Sequence, residues 1–130
     1  MDGLHQSKGI SASGMQAQAN RLRLLSENIA NADTPGYRRK LTTFEQVVES
    51  GRETGRIRMG SVKLDQGELE RIYNPSHPLA DEGGYLDGSN VSLVVEIADA
   101  REAQRSYEAN LRMFDQARKM RSSLLELLRR

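Results

Sequence analysis

The sequence predicts a mainly α protein whose N- and C-terminal helices pair in a coiled-coil-like way, with a small β-rich or extended segment between them. Three observations carry this prediction. Apolar residues recur at helical spacing at both ends of the chain. Gly51, Gly55, Gly60, Gly67, Gly83, Gly84 and Gly88 interrupt the stretch between those ends. With no Trp, two Phe and four Tyr in 130 residues, the chain lacks the aromatic area that usually fills a compact core. Either the domain is small and marginally stable, or it shares its core with neighbours. The expected division is an N-terminal helical segment at 1–35, a middle arm at 36–89 and a long C-terminal helix at 90–130.

In the first segment, Leu4 to Ala32, Met15, Leu22 and Ile29 lie seven apart, and Gln18, Leu25 and Ala32 form a second row offset by three. This is an a/d seam with one polar member. Gly9 and Gly14 weaken the start, which places the firm helix at 15–31. Pro35 disfavours helical geometry at Thr34, and Pro35-Gly36 fits the centre of a type II turn.

The last segment carries Ala100, Ala103, Tyr107, Leu111, Phe114, Ala117, Met120, Leu124 and Leu127 in steps of three and four. That is one apolar stripe on a continuous helix, with Ser89 or Asn90 as its expected cap. Glu108–Arg112, Asp115–Lys119 and Glu126–Arg130 set acid before base at i,i+4. Such a helix would be about 58 Å long at ~1.5 Å per residue, too long for a globule of this size to cover. Tyr107, Leu111 and Phe114 are expected in the helix seam, facing Leu22, Leu25 and Ile29, with Met120 and Leu124 continuing the stripe. Periodicity alone leaves open whether the stripe closes within one chain or between subunits.

In the arm, Arg56–Met59 and Ser61–Leu64 alternate and are expected to form a hairpin, with Leu69–Tyr73 as a third strand. The apolar-poor stretch 49–56 is expected to be a mobile loop.

Composition narrows the chemistry. Without cysteine there is no disulfide, thiolate nucleophile or cysteine-ligated zinc. No apolar run reaches the length of a membrane span, and the first ten residues lack the pattern of a secretory signal, so the chain reads as soluble and unprocessed, with no direct membrane insertion. Ser76-His77-Pro78 with Asp81 superficially offers a Ser–His–Asp set, but no nucleophile elbow surrounds it, and a Pro-bracketed turn is the expected role of His77 and Pro78. His5 stands alone. No catalytic, cofactor-binding or metal site is expected, and the chain is not read as an enzyme. Arg38-Arg39-Lys40 and the basic residues after Arg118 would support nucleic-acid binding as a rival from another class. However, 19 basic residues face 18 interleaved acidic ones, and no recognition motif accompanies them, so no nucleic-acid partner is expected.

The run from Ser26 to Tyr37, Ser-Glu-Asn-Ile-Ala-Asn-Ala-Asp-Thr-Pro-Gly-Tyr, resembles the N-terminal signature of flagellar rod and hook proteins. Asn28 and Asn31 can bond nearby backbone as the helix ends, Thr34, Pro35 and Gly36 turn the chain, and Tyr37 offers an aromatic anchor. Ile10–Met15, Asn74–Asp81 with Gly84-Tyr85, Arg105–Asn110 and Ala117–Met120 also resemble that family, and point to one proximal-rod branch rather than its sibling FlgB. The resemblance implies export through the flagellar type III apparatus without a cleaved signal. It further implies helical polymerisation into the rod that crosses the periplasm and transmits torque from motor to hook. The implied partners are further copies of the chain, the rod subunits FlgB, FlgF and FlgG, and FliE.

Overall fold

The computed structural model describes residues 2–129. Met1 and Arg130, and with Arg130 the expected pair to Glu126, lie outside the described residues. Helix α1 spans Asp2–Ala30 and helix α2 spans Leu93–Arg129. Between them lie β1 (Lys40–Leu41), β2 (Phe44–Glu49), β3 (Arg52–Met59), β4 (Lys63–Leu64), β5 (Arg71–Tyr73) and β6 (Tyr85–Asp87). They form three separate antiparallel pairs, β1 with β4, β2 with β3 and β5 with β6.

Helix α1 starts earlier than the glycines suggest because both glycines are contact points. A Cβ at Gly14 would come within 2.5 Å of Asn110 Oδ1 on α2, and one at Gly9 within 2.7 Å of the Arg56 guanidinium on β3. Close packing there offsets the propensity cost of about 1 kcal/mol per glycine. The helix ends as Asn31 N–H donates to the Glu27 and Asn28 carbonyls. Pro35 and Gly36 then form a type II turn: Gly36 has φ +74° and Tyr37 N–H donates to Thr34 C=O at 3.1 Å.

The two helices pack antiparallel, and their seam differs from the expected one. On α1 the facing row is Ser11, Gly14, Gln18, Leu25 and Asn28, all buried. On α2 it is Glu96, Ala103 and Ala117, all buried, with half-buried Asn110 completing a spacing of seven. Small and polar side chains let the backbones approach closely, so the large apolar residues are displaced from the seam. Of the expected rows, Gln18, Leu25, Ala103 and Ala117 lie in the seam, while Met15, Leu22, Ile29, Tyr107 and Phe114 are half-buried beside it. Leu111, at 41% exposure, and Met120 are exposed on either side of the seam, and Leu124 continues the seam row past the start of α1, where it is exposed. The register also corrects the expected facing of Leu111 with Leu22, Leu25 and Ile29. Asn28 meets Glu96, Arg21 lies near Asp99 and Glu102, and Gly14 meets Asn110, which puts Leu22 to Ile29 level with the first turns of α2.

The arm pairs differently from the expected hairpin. Strand β3 returns on β2 through Ser50 (φ +51°) and Gly51 (φ +77°), a two-residue turn with both residues left-handed, as a type I′ hairpin requires. The stretch expected as a mobile loop is therefore this turn and the start of β3. The Ser61–Leu64 run gives only β4, paired with β1. The β2–β3 hairpin lies on α1, where Ile57 N–H donates to Ser13 Oγ at 3.1 Å and Gly55 abuts Ile10. Neither Ser89 nor Asn90 caps α2: Glu96 N–H closes the first turn onto Ser92 C=O at 3.0 Å, and both earlier residues bond elsewhere.

Candidate assembly surfaces and the junction that positions them

The chain leaves α1 and enters α2 at the same end of the helix pair, and the two crossings are tied together. Gly36 N–H donates to the Asp87 and Gly88 carbonyls, Asn90 N–H to Tyr37 C=O, and Ser89 Oγ to Ala32 C=O. Beneath these bonds lies a polar junction centred on Asn28 and Glu96, both at 0% exposure. Asn28 Oδ1 accepts from Tyr37 Oη at 2.8 Å and from Lys40 N–H at 2.9 Å. Its Nδ2 donates to Lys40 C=O at 3.0 Å and to Glu96 Oε2 at 3.3 Å. Every hydrogen-bonding position of this buried amide is filled, as burial requires.

Glu96 is compensated in the same way. Arg39 Nε donates to its Oε1 at 2.6 Å, and Arg39 also reaches Asp65 Oδ2 at 3.3 Å. Burial pulls the Arg39 pKa down, but the hydrogen bonds and charges of Glu96 and Asp65 outweigh it and leave the pKa above its ordinary value. Burial, followed by the nearby Glu27 carboxylate, raises the pKa of Tyr37. Asn90 closes the ring, accepting from Arg39 N–H at 2.7 Å and donating to Asp65 C=O at 3.1 Å.

This junction bears on two readings of the sequence. Asn31 does bond local backbone, its Nδ2 donating to Glu27 C=O at 2.9 Å, and Thr34 Oγ1 donates to Asn31 Oδ1 at 3.1 Å. Asn28 instead makes four hydrogen bonds that tie α1 to Tyr37 and Lys40 at the start of the arm and to Glu96 on α2. The cluster Arg38-Arg39-Lys40, which on sequence would support nucleic-acid binding, is engaged within the chain: Arg38 donates to the carbonyls of Asp65 and Gly67, Arg39 to Glu96, and Lys40 to Glu27 at 2.5 Å. Glu96 gave no sequence signal as a hub, because a glutamate in the first turn of a helix is ordinary. Its seven-residue spacing to Ala103, Asn110 and Ala117 was the available clue.

The second turn, at 74–84, serves its own geometry. His77 Nδ1 accepts from Leu79 N–H at 3.0 Å, Ser76 Oγ donates to Asn74 Oδ1 at 2.9 Å, and Asp81 is taken by Tyr85 N–H and Arg71. Ser76, His77 and Asp81 thus form no relay with one another, and Pro78 follows His77 on the exposed side of the turn. Beside it, the rings of Tyr73 and Tyr85 meet at 5.1 Å between centroids, tilted by 57°, with Arg71 over Tyr85. Among the described residues, no group of His, Asp and Glu is arranged to hold a metal ion, and no helix is long and apolar enough to cross a membrane.

Besides the exposed cluster Leu93, Val94, Val95 and Ile97 at the start of α2, two apolar surfaces are open to partners. One is the apolar surface of α2 beside the seam and past the start of α1, where Leu111 on one side and Met113 and Met120 on the other are exposed, continuing into Leu124, Leu127 and Leu128. The other is the β5–β6 end of the arm, with Ile72, Tyr73, Leu79 and Tyr85 exposed. Patches of this size on a chain with so small a core mark interaction sites.

Comparison with known proteins agrees with this architecture. Residues 10–38 match the family of flagella basal body rod proteins, and residues 82–127 match the C-terminal region of flagellar basal body rod FlgEFG proteins. Those spans are the two helices with the turn and strand that join them, so helix pair and matches together define a structural protein of the flagellar basal-body rod class. The chain is 40% identical to the flagellar basal-body rod protein FlgC of Agrobacterium fabrum, over 99% of this chain and 98% of the relative. It is 34% identical to FlgC of Salmonella typhimurium, over 91% and 92%, and 31% identical to FlgC of Borreliella burgdorferi, over 97% and 98%. The chain belongs to the FlgC family of flagellar basal-body rod proteins.

Proposed function

We propose that this rod subunit polymerises helically through its helix pair, with residues 1–35 and 90–130 forming the rod core and residues 36–89 an arm that packs on neighbours. The polymer crosses the periplasm and carries torque from motor to hook. The observation that carries this reading is the set of large apolar side chains that α2 leaves exposed on both sides of the seam and past the start of α1. The small-residue seam satisfies the close contact between α1 and α2 and leaves Leu111, Met120 and Leu124 without an intramolecular role. Each such residue, once buried in a polymer, contributes roughly 1.5–3 kcal/mol, so a few per subunit favour assembly. Half-buried Met15, Leu22, Ile29, Tyr107 and Phe114 lie beside the seam and complete the interface, with Leu25 holding the helix pair behind it. The turn of Asn31, Thr34, Pro35, Gly36 and Tyr37 and the turn of His77 and Pro78 set the direction of the arm.

The partners are further copies of this chain, the rod subunits FlgB, FlgF and FlgG, and FliE. The subunit reaches its place through the flagellar type III apparatus without a cleaved signal. A fold with few large buried side chains suits a chain that must pass a narrow channel largely unfolded. The reading involves no catalysis and no cofactor.

The test is Leu111→Asp. As an exposed residue outside the seam, it should leave the unfolding free energy of the isolated chain within about 0.5 kcal/mol of wild type. In cells, the variant should be synthesised normally but fail to form rods or support swimming. Normal motility would reject the assignment of this face to assembly.

A further inference from the structure

We infer that the β5–β6 end of the arm is a docking site for the C-terminal end of α2 from a second copy of this chain, so that subunits join head to tail. The inference rests on the rod reading above and names the surfaces that would meet. The two ends match in character. The arm end exposes Tyr73 at 64% and Leu79 at 66%, beside Ile72 and Tyr85, and the helix end exposes Leu125, Leu127 and Leu128, the last at 76%. They are opposite in charge. The segments 68–73 and 81–87 that make up the arm end carry Glu68, Glu70, Asp81, Glu82 and Asp87 against the single cation Arg71. The last turns of α2 carry Lys119, Arg121 and Arg129 against the single anion Glu126, with Arg118 already paired to Asp115 at 3.4 Å. Arg71 is already engaged by Asp81 and Asp87, each at 2.9 Å, while Glu68, Glu70 and Glu82 make no ion pair among the described residues.

One molecule cannot bring these surfaces together. The arm end is fixed at the start of α2 by the bonds of Gly36 to Asp87 and Gly88 and of Ser89 to Ala32. Leu124 lies roughly 47 Å further along the helix, at ~1.5 Å per residue. The register set by Gly14 with Asn110 and Lys8 with Phe114 exhausts α1 near Met120, so the final turns have no partner helix within the chain. Two different surfaces at opposite ends give a heterologous contact, which does not close on itself and propagates as an open helix. Opposed charge fixes which end meets which, and disfavours head-to-head and tail-to-tail pairing.

Because the chain has no cysteine, the contact can be read by cross-linking. Leu79→Cys and Leu125→Cys full-length chains, carrying different tags, are co-expressed in swimming cells and treated with a short bismaleimide. The expected product is a dimer containing both tags, absent when either variant is expressed alone. Adding Glu70→Lys and Glu82→Lys to the first chain, or Lys119→Glu and Arg121→Glu to the second, should abolish the product, and combining all four should restore it. The inference is overturned if both chains are recovered in purified basal bodies without the mixed dimer. It is also overturned if the Leu79→Cys chain captures another rod subunit instead, or if the four reversals together fail to restore the product. Absence of the chain from basal bodies would overturn the rod reading itself, which separates the two failures.

Discussion

The Asn28 amide on α1 donates to the Glu96 carboxylate on α2 across 3.3 Å, with neither side chain exposed to solvent. This contact, with Tyr37, Arg39 and Lys40 gathered around it, locks both helices to the start of the arm. Glu96→Ala would leave the Arg39 guanidinium, 19% exposed, without its principal carboxylate, and would leave Asn28 Nδ2 with Lys40 C=O alone. A loss of about 3 kcal/mol is expected, since removing one member of a largely buried ion pair strands the other. Tyr37→Phe removes only one of two bonds into Asn28 Oδ1 and should cost about 1 kcal/mol. Urea unfolding of the purified chain measures both. If Glu96→Ala unfolded at the wild-type midpoint, the junction could not be closed in solution.

A second prediction concerns the close approach of α1 to α2. Gly14 lies against Asn110, whose Nδ2 is also bonded to Ser106 C=O at 2.8 Å. Gly14→Leu should destabilise by about 1–3 kcal/mol through overpacking. Gly14→Ala alone sets a helix-propensity gain against the collision with Asn110. In an Asn110→Ala background the collision is gone, and adding Gly14→Ala should stabilise by about 0.5–1 kcal/mol. A double-mutant cycle on the melting curves gives the coupling between the two sites. A coupling of zero would mean that the helices do not touch there.

The helices were legible in the sequence because period 3.6 survives any choice of partner, and the type II turn at Pro35-Gly36 was legible because both residues are fixed by backbone geometry. The seam was legible only in part. Gln18, Leu25, Ala103 and Ala117 stand in the rows read from the sequence, but two helices that pair closely also bury Ser11, Gly14 and Glu96, which leave no hydropathy signal. The β2–β3 hairpin was hidden for a related reason. Its turn is Ser50-Gly51 rather than Asn-Gly, and Val47-Val48 breaks strict alternation at the irregularity between Gln46 and Val48. The junction was half legible. The Asn-rich run before Thr-Pro-Gly-Tyr marked its place, but the partner of Asn28 lies 68 residues away, where nothing local distinguishes Glu96 from a solvated helix glutamate.

The last prediction is the pH profile of stability. The Gly67 N–H at 2.8 Å, then Arg39, hold the Asp65 carboxyl below its ordinary 3.8, and the Tyr85 N–H at 2.9 Å, then Arg71, do the same for Asp81. A carboxyl whose pKa is depressed by folding adds stability above that ordinary value, and the addition is lost as pH falls through the lower folded value. The opposite sign applies to Lys40, raised above 10.5 first by its bond to Glu27, and to Tyr37, raised above 10.0 first by burial. Their contributions hold below those values and disappear as pH rises past the folded ones. Stability should therefore plateau across neutral pH and fall at both extremes. Asp65→Asn should be less stable than wild type at neutral pH and converge with it as pH falls through the lowered folded value of Asp65, where the wild-type carboxyl is itself protonated. Lys40→Met should converge instead at the alkaline end. Urea midpoints taken across the pH range for the three proteins decide the matter. An Asp65→Asn curve that runs parallel to wild type at every pH would show that the ionised Asp65 carboxylate does not contribute through these bonds.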